Sequence, residues 1–290
     1  MPAPRTVLLT GAAGGLGTLM RGLLPGYGYA LRLFDVRPVP GVAGEHTAGA
    51  DTAGGDTAGG DAGTFVADLT DTAALREATR GVDAILHLAG ISLEAPFEKI
   101  LHSNIEGTYR LYEAAREAGV RRVVFASSNH AVGYTPRPRP ADGDPPIPVG
   151  TPRRPDTYYG LSKSFGEDLA QLYWDRHGIE TVSVRIGSCF PRPTNVRMLS
   201  LWLSPADGAR LFHAALTAEH VGHTVVYGSS ANTRLWWDLS TARALGYEPQ
   251  DDSEPYAAEL IAEQGELSPD NPEHAYLGGH FCTDPPLWPH

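Results

Sequence analysis

The stretch from Thr6 to Gly17 reads TVLLTGAAGGLG and joins a short apolar run to a set of glycines. Thr6 to Thr10 is β-branched or apolar throughout, the composition of a strand buried on both faces of a parallel sheet. Gly11, Gly14 and Gly17 follow, and Leu16, Leu19, Met20, Leu23 and Leu24 then recur at helical spacing. A strand, a glycine turn and a helix in this order suit the pyrophosphate of a dinucleotide. The first glycine permits the tight turn, the second lets phosphates approach the backbone, and the third allows close helix–strand packing. The helix N-terminus adds unpaired N–H donors.

Outward from this motif, further strands are expected at 30–35, 64–67, 84–88, 123–127 and 181–186. Helices are expected at 71–80, capped by Thr70 or Asp71, at 104–117, closed by Gly119, and at 162–176, stopped at Gly178. The alternation predicts an α/β fold, a Rossmann doubly wound parallel sheet over residues 1–187. Past Gly187 the alternation fades, with a helical stretch at 207–218 among Pro, Trp and Gly clusters, so 188–290 is expected to form a smaller substrate-binding lobe. Two segments break the pattern. Residues 43–63 are nearly all Ala, Gly, Asp and Thr and are expected to be a mobile loop, because they offer too little apolar surface to offset ordering. Residues 134–155 hold eight of the 24 prolines and are expected to form a stiff surface flap.

Composition excludes several classes. The 290 residues include 34 acidic and 23 basic side chains, a net charge of −11, which disfavours nucleic acid and anionic membrane surfaces as partners. The two cysteines, Cys189 and Cys282, form no CxxC pair, so neither a disulfide framework nor a cysteine zinc site is expected. There is no HExxH, no clustered ligand set and no GxSxG elbow, and no metal is expected. No run approaches the ~18 apolar residues of a membrane span, and the N-terminal apolar run is too short for a signal-peptide core. A cytoplasmic protein is the expectation.

Three features carry chemistry. Asp35 closes the second strand near the ~20-residue offset of a carboxylate that accepts from ribose hydroxyls. It favours NAD over NADP, although Arg37 could reach a 2′-phosphate. Asp68, after the third strand, reads equally as an adenine contact or a helix cap. Tyr159-Gly-Leu-Ser-Lys163 places a phenol and an ammonium four residues apart on one helix face. The ammonium is expected to pull the phenol from ~10 toward working pH, giving a general base or acid for a hydroxyl. Tyr158 lacks that spacing to Lys163.

TGAAGGLG, LHLAG at 86–90, the helix opened by Asn104, VVFASSN at 123–129 and YGLSK together resemble the extended short-chain dehydrogenases/reductases. Residues 88–97, 125–130 with Gly133 and Tyr134, 185–189 and 197–200 resemble more closely the uronate dehydrogenases among them, and the resemblance runs from residue 5 to about 285. It implies NAD-dependent oxidation of a cyclic hexuronic acid, D-galacturonate or D-glucuronate, at C1 to the aldaric acid lactone. By the same resemblance Tyr159 would be the base, Lys163 its activator and ribose anchor, Ser128 a partner of the reacting hydroxyl, and Asn104 the support of the active-site helix. Gly11, Gly14, Gly15, Leu16, Gly17, Asp35, Asp68, Leu69, Leu88, Ala89, Gly90, Ile186 and Cys189 would contact NAD together with Tyr159 and Lys163. Ser92, Asn129, His130, Ser188, Arg197 and Phe281 would line the sugar pocket, Arg197 and Ser188 holding the carboxylate.

Read without the resemblance, Arg197 suits a surface ion pair better than a carboxylate clamp, His130 suits a pocket hydrogen-bonder rather than the base, and Phe281 suits equally an ordinary core aromatic. The pair Trp236 and Trp237 suits closure of the lobe over the core. Two other functions stay open: a nucleotide-sugar epimerase or dehydratase of the same superfamily, and a non-catalytic NAD sensor. A homo-oligomer is expected.

Overall fold

The computed structural model describes residues 5–41, 45–47, 63–139, 142–268 and 270–285. Its first half runs β1 (Thr6–Thr10), α1 (Gly15–Leu23), β2 (Ala30–Asp35), β3 (Glu45–Thr47), β4 (Thr64–Val66), α2 (Thr72–Thr79) and β5 (Ala84–His87). Next come α3 (Phe97–Ile100), a π-helical turn (Leu101–Glu106), α4 (Gly107–Ala118), β6 (Arg122–Ser128), α5 (Tyr158–His177) and β7 (Glu180–Ile186). The remainder contributes β8 (Ser188–Cys189), β9 (Trp202–Leu203), α6 (Pro205–Thr217), β10 (His223–Gly228), α7 (Ser240–Ala244) and α8 (Ala257–Gln264).

Eight strands form one parallel sheet in the order β10-β7-β6-β5-β1-β2-β4-β3, and β8 pairs with β9 separately. Successive side chains of β1 feed opposite layers, as the period of a strand requires. Val7 and Leu9 join Met20, Leu24, Val184 and Phe212 under α1 and α6, while Leu8 joins Ile85, Leu75, Tyr112 and Leu169 under α2, α4 and α5. The direction of winding reverses at β1, which lies between β2 and β5. A sheet of this kind opens a crevice beyond the carboxyl ends of the two strands that flank the reversal.

The parallel α/β sheet is as the alternation predicts, with departures of physical interest. β10 pairs with β7 along its whole length, Thr181 opposite His223 through Ile186 opposite Gly228. The sheet therefore extends beyond the expected division after residue 187. Sequence reading missed this strand because only Val225, Val226 and Tyr227 mark it, between a glycine and two serines. Residues 45–47 of the Ala/Gly/Asp/Thr tract pair with β4 rather than forming loop, and most of that expected loop lies outside the described residues. The proline-rich segment is irregular but tied down. Tyr134 N donates to Arg154 O, Arg154 N to Ala131 O, and buried Ile147 bridges to Trp237.

α5 starts at Tyr158, four residues before the expected 162, because the Thr157 side chain accepts from Gly160 N at 3.0 Å and caps it there. Further along α5, Glu167 is fully buried. It accepts from Ser127 Oγ at 2.7 Å and from Arg185 Nε and Nη2 at 2.8 Å each. Arg185 also donates to Val149 O at 3.0 Å, so one ion pair joins α5, β6, β7 and the proline-rich segment. Burial works against the Glu167 charge, but the Arg185 bonds outweigh it and hold the carboxyl below its ordinary range. Glu167→Ala leaves an unpaired buried guanidinium. It should cost about 3–5 kcal/mol and lower the thermal midpoint by on the order of 10 °C, measured by calorimetry.

Candidate active site

The crevice is a continuous cleft of about 1030 Å³. At one end Gly11 adopts φ +74°, and a Cβ there would stand 2.6 Å from Ala89 N. A Cβ on Gly17 would collide with Gly11 O, whereas one on Gly15 would meet nothing, so Gly15 faces open space. Gly14 is the N-cap of α1 and offers no side-chain cap, leaving the N–H groups of the first turn to a ligand. Asp35 is pinned beside this turn. Its Oδ2 accepts from Ala13 N and its Oδ1 from Arg37 N, both at 2.9 Å. Arg37 Nε lies 3.7 Å from Asp35, and the Arg37 side chain is 66% exposed.

The ambiguity at Asp68 resolves geometrically. Asp71, not Asp68, caps α2 by accepting from Ala74 N. Asp68 lines the cleft, accepting from Thr70 N and Oγ1 and facing His102 Nε2 at 3.2 Å.

At the middle of the cleft Tyr159 is buried, and Ser128 lines the same cleft. Lys163 Nζ donates to Ala126 O at 2.9 Å and stands 5.5 Å from the Tyr159 ring centroid. Asn104 does not line the cleft. From the π-helical turn its Oδ1 accepts from Ile91 N at 2.8 Å, while its Nδ2 donates to Ile91 O and to Ser162 Oγ. Ser162 in turn donates to Tyr159 O at 2.7 Å. Asn104 thus stitches the loop after β5 to the first turn of α5, with a Cβ on Gly90 only 3.0 Å from its Oδ1. Sequence reading missed a second stitch: the Glu94 carboxylate accepts from Tyr158 N and Tyr159 N, at the helix end that favours negative charge.

The far end gathers residues from four segments. Arg197 is half-buried, its Nε donates to Leu277 O at 3.1 Å, and among the described residues it forms no ion pair. Asn129 is fully buried behind the wall rather than lining it. Its amide oxygen accepts from Arg197 Nη2 at 2.9 Å and its nitrogen donates to Ile186 O at 3.1 Å. Ser188 Oγ is buried at the cleft without a hydrogen-bond partner. The Phe281 ring stacks on His130 with centroids 4.2 Å apart, so it belongs to the site and not to a core cluster. Ser92 lines the cleft as an exposed residue, and Leu69, Leu88, Ile186 and Cys189 supply apolar wall, the Cys189 thiol pushed up to about 12 by burial. Trp236 and Trp237 pack in a separate cluster with Tyr227 and Leu277, away from the cleft. Sequence reading also missed Asp156, whose side chain is wholly buried 2.6 Å from His130 Nδ1.

Residues 7–205 match the NAD dependent epimerase/dehydratase family. The chain is 48% identical to a uronate dehydrogenase of Pseudomonas syringae pv. tomato, across 97% of this chain and 94% of that one. A crystal structure of a glucuronic acid dehydrogenase from Chromohalobacter salexigens superposes with a TM-score of 0.84, at 43% identity over 97% of this chain and 98% of that one. A tyrosine-to-alanine mutant of the Agrobacterium tumefaciens uronate dehydrogenase, solved with NAD, gives 0.83 at 41% identity, over 97% and 98% of the two chains. The chain belongs to the uronate dehydrogenases of this family.

As a member of the uronate dehydrogenase family the protein is an NAD-dependent oxidoreductase. The glycine turn, the free first turn of α1 and the pinned Asp35 carboxylate fit a dinucleotide whose ribose keeps its 2′-hydroxyl. Among the described residues no helix is long and apolar enough to cross a membrane.

Burial dominates the electrostatics of the site in this uronate dehydrogenase family member. Burial pushes the Tyr159 phenol up to about 12, the Ser128 hydroxyl pulls it the other way and Asp156 adds to the rise. Lys163 donates to Ala126 O and is itself pushed down to about 8 by burial. Burial also lowers Arg197 to about 10, against the opposing pull of Asp156 and Cys282. Asp35→Ser removes the ribose acceptor and the charge that repels a 2′-phosphate. The KM for NAD should rise about tenfold while NADP begins to be used, measured by initial rates with each cofactor.

Proposed function

We propose that this chain oxidises a cyclic hexuronic acid, D-galacturonate or D-glucuronate, at C1 and releases the aldaric acid lactone. The observation that carries the reading is Arg197: a half-buried guanidinium lining the cleft with no ion-pair partner among the described residues, in the same cleft as the unpartnered Ser188 hydroxyl. A partly desolvated cation without an anion gains from one, and a planar carboxylate is the anion that its fork matches. Asn129 holds Nη2 in place, so the guanidinium is oriented before the acid arrives.

With the carboxylate at Arg197 and Ser188, the opposite side of the sugar ring is directed toward Tyr159 and Ser128. Ser128 orients the anomeric hydroxyl, and Tyr159 as phenolate takes its proton. Bound NAD supplies the acceptor for the hydride that leaves C1, so the C1–O bond becomes the lactone carbonyl. Because Tyr159 is raised well above neutrality, the basic form grows with pH, and kcat/KM for oxidation should climb on the alkaline side.

Tyr159→Phe should lower kcat by at least about 100-fold with NAD affinity retained, and its near-normal turnover would show the base to be wrong. Arg197→Met should lower kcat/KM for uronate by about 100-fold but leave the weak rate on the parent neutral hexose unchanged. A variant that still prefers the acid would remove the clamp from the reading. Both are read by NADH absorbance with each sugar.

A further inference from the structure

Asp156 has no place in the chemistry above, yet the site is built around it. Its carboxylate sits in a niche walled by glycines from three separate segments. A Cβ on Gly133 or Gly278 would collide with Oδ2, and one on Gly160 would lie 2.9 Å from Oδ1. The side chain has no solvent exposure. Oδ1 accepts from Thr157 Oγ1 at 2.9 Å, and Oδ2 faces His130 Nδ1 at 2.6 Å and Cys282 Sγ at 4.0 Å. An ionised carboxylate only accepts, so with Asp156 charged it is Nδ1 that carries the proton of this short contact.

The rest of the imidazole is fixed as well. Phe281 stacks on one face at 4.2 Å with an interplanar angle of 23°, and Tyr159 meets the ring edgewise at 5.7 Å. Nε2 makes no hydrogen bond among the described residues, and the ring borders the cleft. Burial holds His130 below its ordinary range despite the Asp156 partner, with Arg197 and His280 lowering it further, so the ring is neutral near pH 7. A neutral ring protonated at Nδ1 presents a bare lone pair at Nε2.

We infer that Asp156 is a positioning residue: by accepting the Nδ1 proton of His130 it fixes the imidazole as a hydrogen-bond acceptor at Nε2, directed at a hydroxyl of the bound sugar acid. The inference deepens the uronate reading and rests on it for the identity of the sugar. The other tautomer would present an N–H at Nε2, which an acceptor oxygen would suit and a hydroxyl already donating elsewhere would tolerate. Asp156 therefore selects which hydroxyl pattern the pocket reads, without touching the sugar.

The test begins on the unaltered protein. Nitrogen-15 NMR of histidine-labelled enzyme reports the tautomer of each ring, and the His130 signal is assigned by its absence in His130→Ala. The expected state is Nδ1–H; an Nε2–H ring in the wild-type enzyme overturns the inference, whatever any variant does. In Asp156→Ala the ring should pass to Nε2–H, the KM for uronate should rise about tenfold and the dissociation constant for NAD should stay within about twofold. Since Asp156 acts through His130, adding Asp156→Ala to His130→Ala should change KM little further, whereas a full additional loss would show a merely structural role and overturn the inference. If the wild-type enzyme oxidises no uronate, the functional reading falls while the tautomer still decides Asp156.

Discussion

The close approach of the glycine turn to the end of β5 is the constraint on which the rest of the structure depends. A Cβ on Gly11 would stand 2.6 Å from Ala89 N, and one on Gly17 would enter Gly11 O, so β1, β5 and α1 can meet only without side chains at those positions. The contact is locked from below by a buried polar chain. Thr10 Oγ1 lies 2.7 Å from His87 Nδ1, His87 Nε2 lies 3.2 Å from Thr108 Oγ1, and Thr108 donates to Asn104 O. Burial, with Lys163 nearby, pushes His87 down to about 3, so it stays neutral and serves as a hinge pin of hydrogen bonds. Asn104 continues the chain to Ile91 and Ser162 and so to the first turn of α5. The glycine turn and Tyr159 are therefore placed by one connected set of contacts.

The site built on this frame is electrostatically tense. A phenol and an ammonium lie buried within it beside a half-buried guanidinium and imidazole, and desolvation moves each of them toward its neutral form. Such groups favour a ligand that returns partners to them, which is how a fold converts desolvation into affinity for a charged sugar and a dinucleotide. The carboxylates are placed with equal economy. Asp35 is held by two backbone N–H groups, Glu94 by two more at the head of α5, and Asp156 by Thr157 and His130 in a niche that glycines leave open.

The last segment of the chain closes the site. Leu277 O receives Arg197, and Phe281 covers His130. A Cβ on Gly279, where φ is +65°, would lie 2.9 Å from Arg197 Nε. A residue more than a hundred positions from Tyr159 thus shapes the pocket beside it, and the sugar end is finished only when the C-terminal region has packed.

The sequence by itself determined the parallel sheet, its cofactor turn and the Tyr159–Lys163 pair, because each is written in local periodicity or fixed spacing: buried runs of period-indifferent apolar residues, glycines three apart, a phenol and an ammonium one helical turn apart. It also determined Asp35, which ends a legible strand. Only the tertiary structure decided that β10 completes the sheet, that Asn129 and Asn104 stand behind the walls, and that Asp156 and Glu94 serve the site. It decided too that the Tyr159 phenol is buried, which pushes it up. The reason is common to all of these. Burial and long-range partners depend on which distant segments meet, such as Gly133 and Gly278 around one carboxylate, and no local pattern encodes a meeting across so many residues.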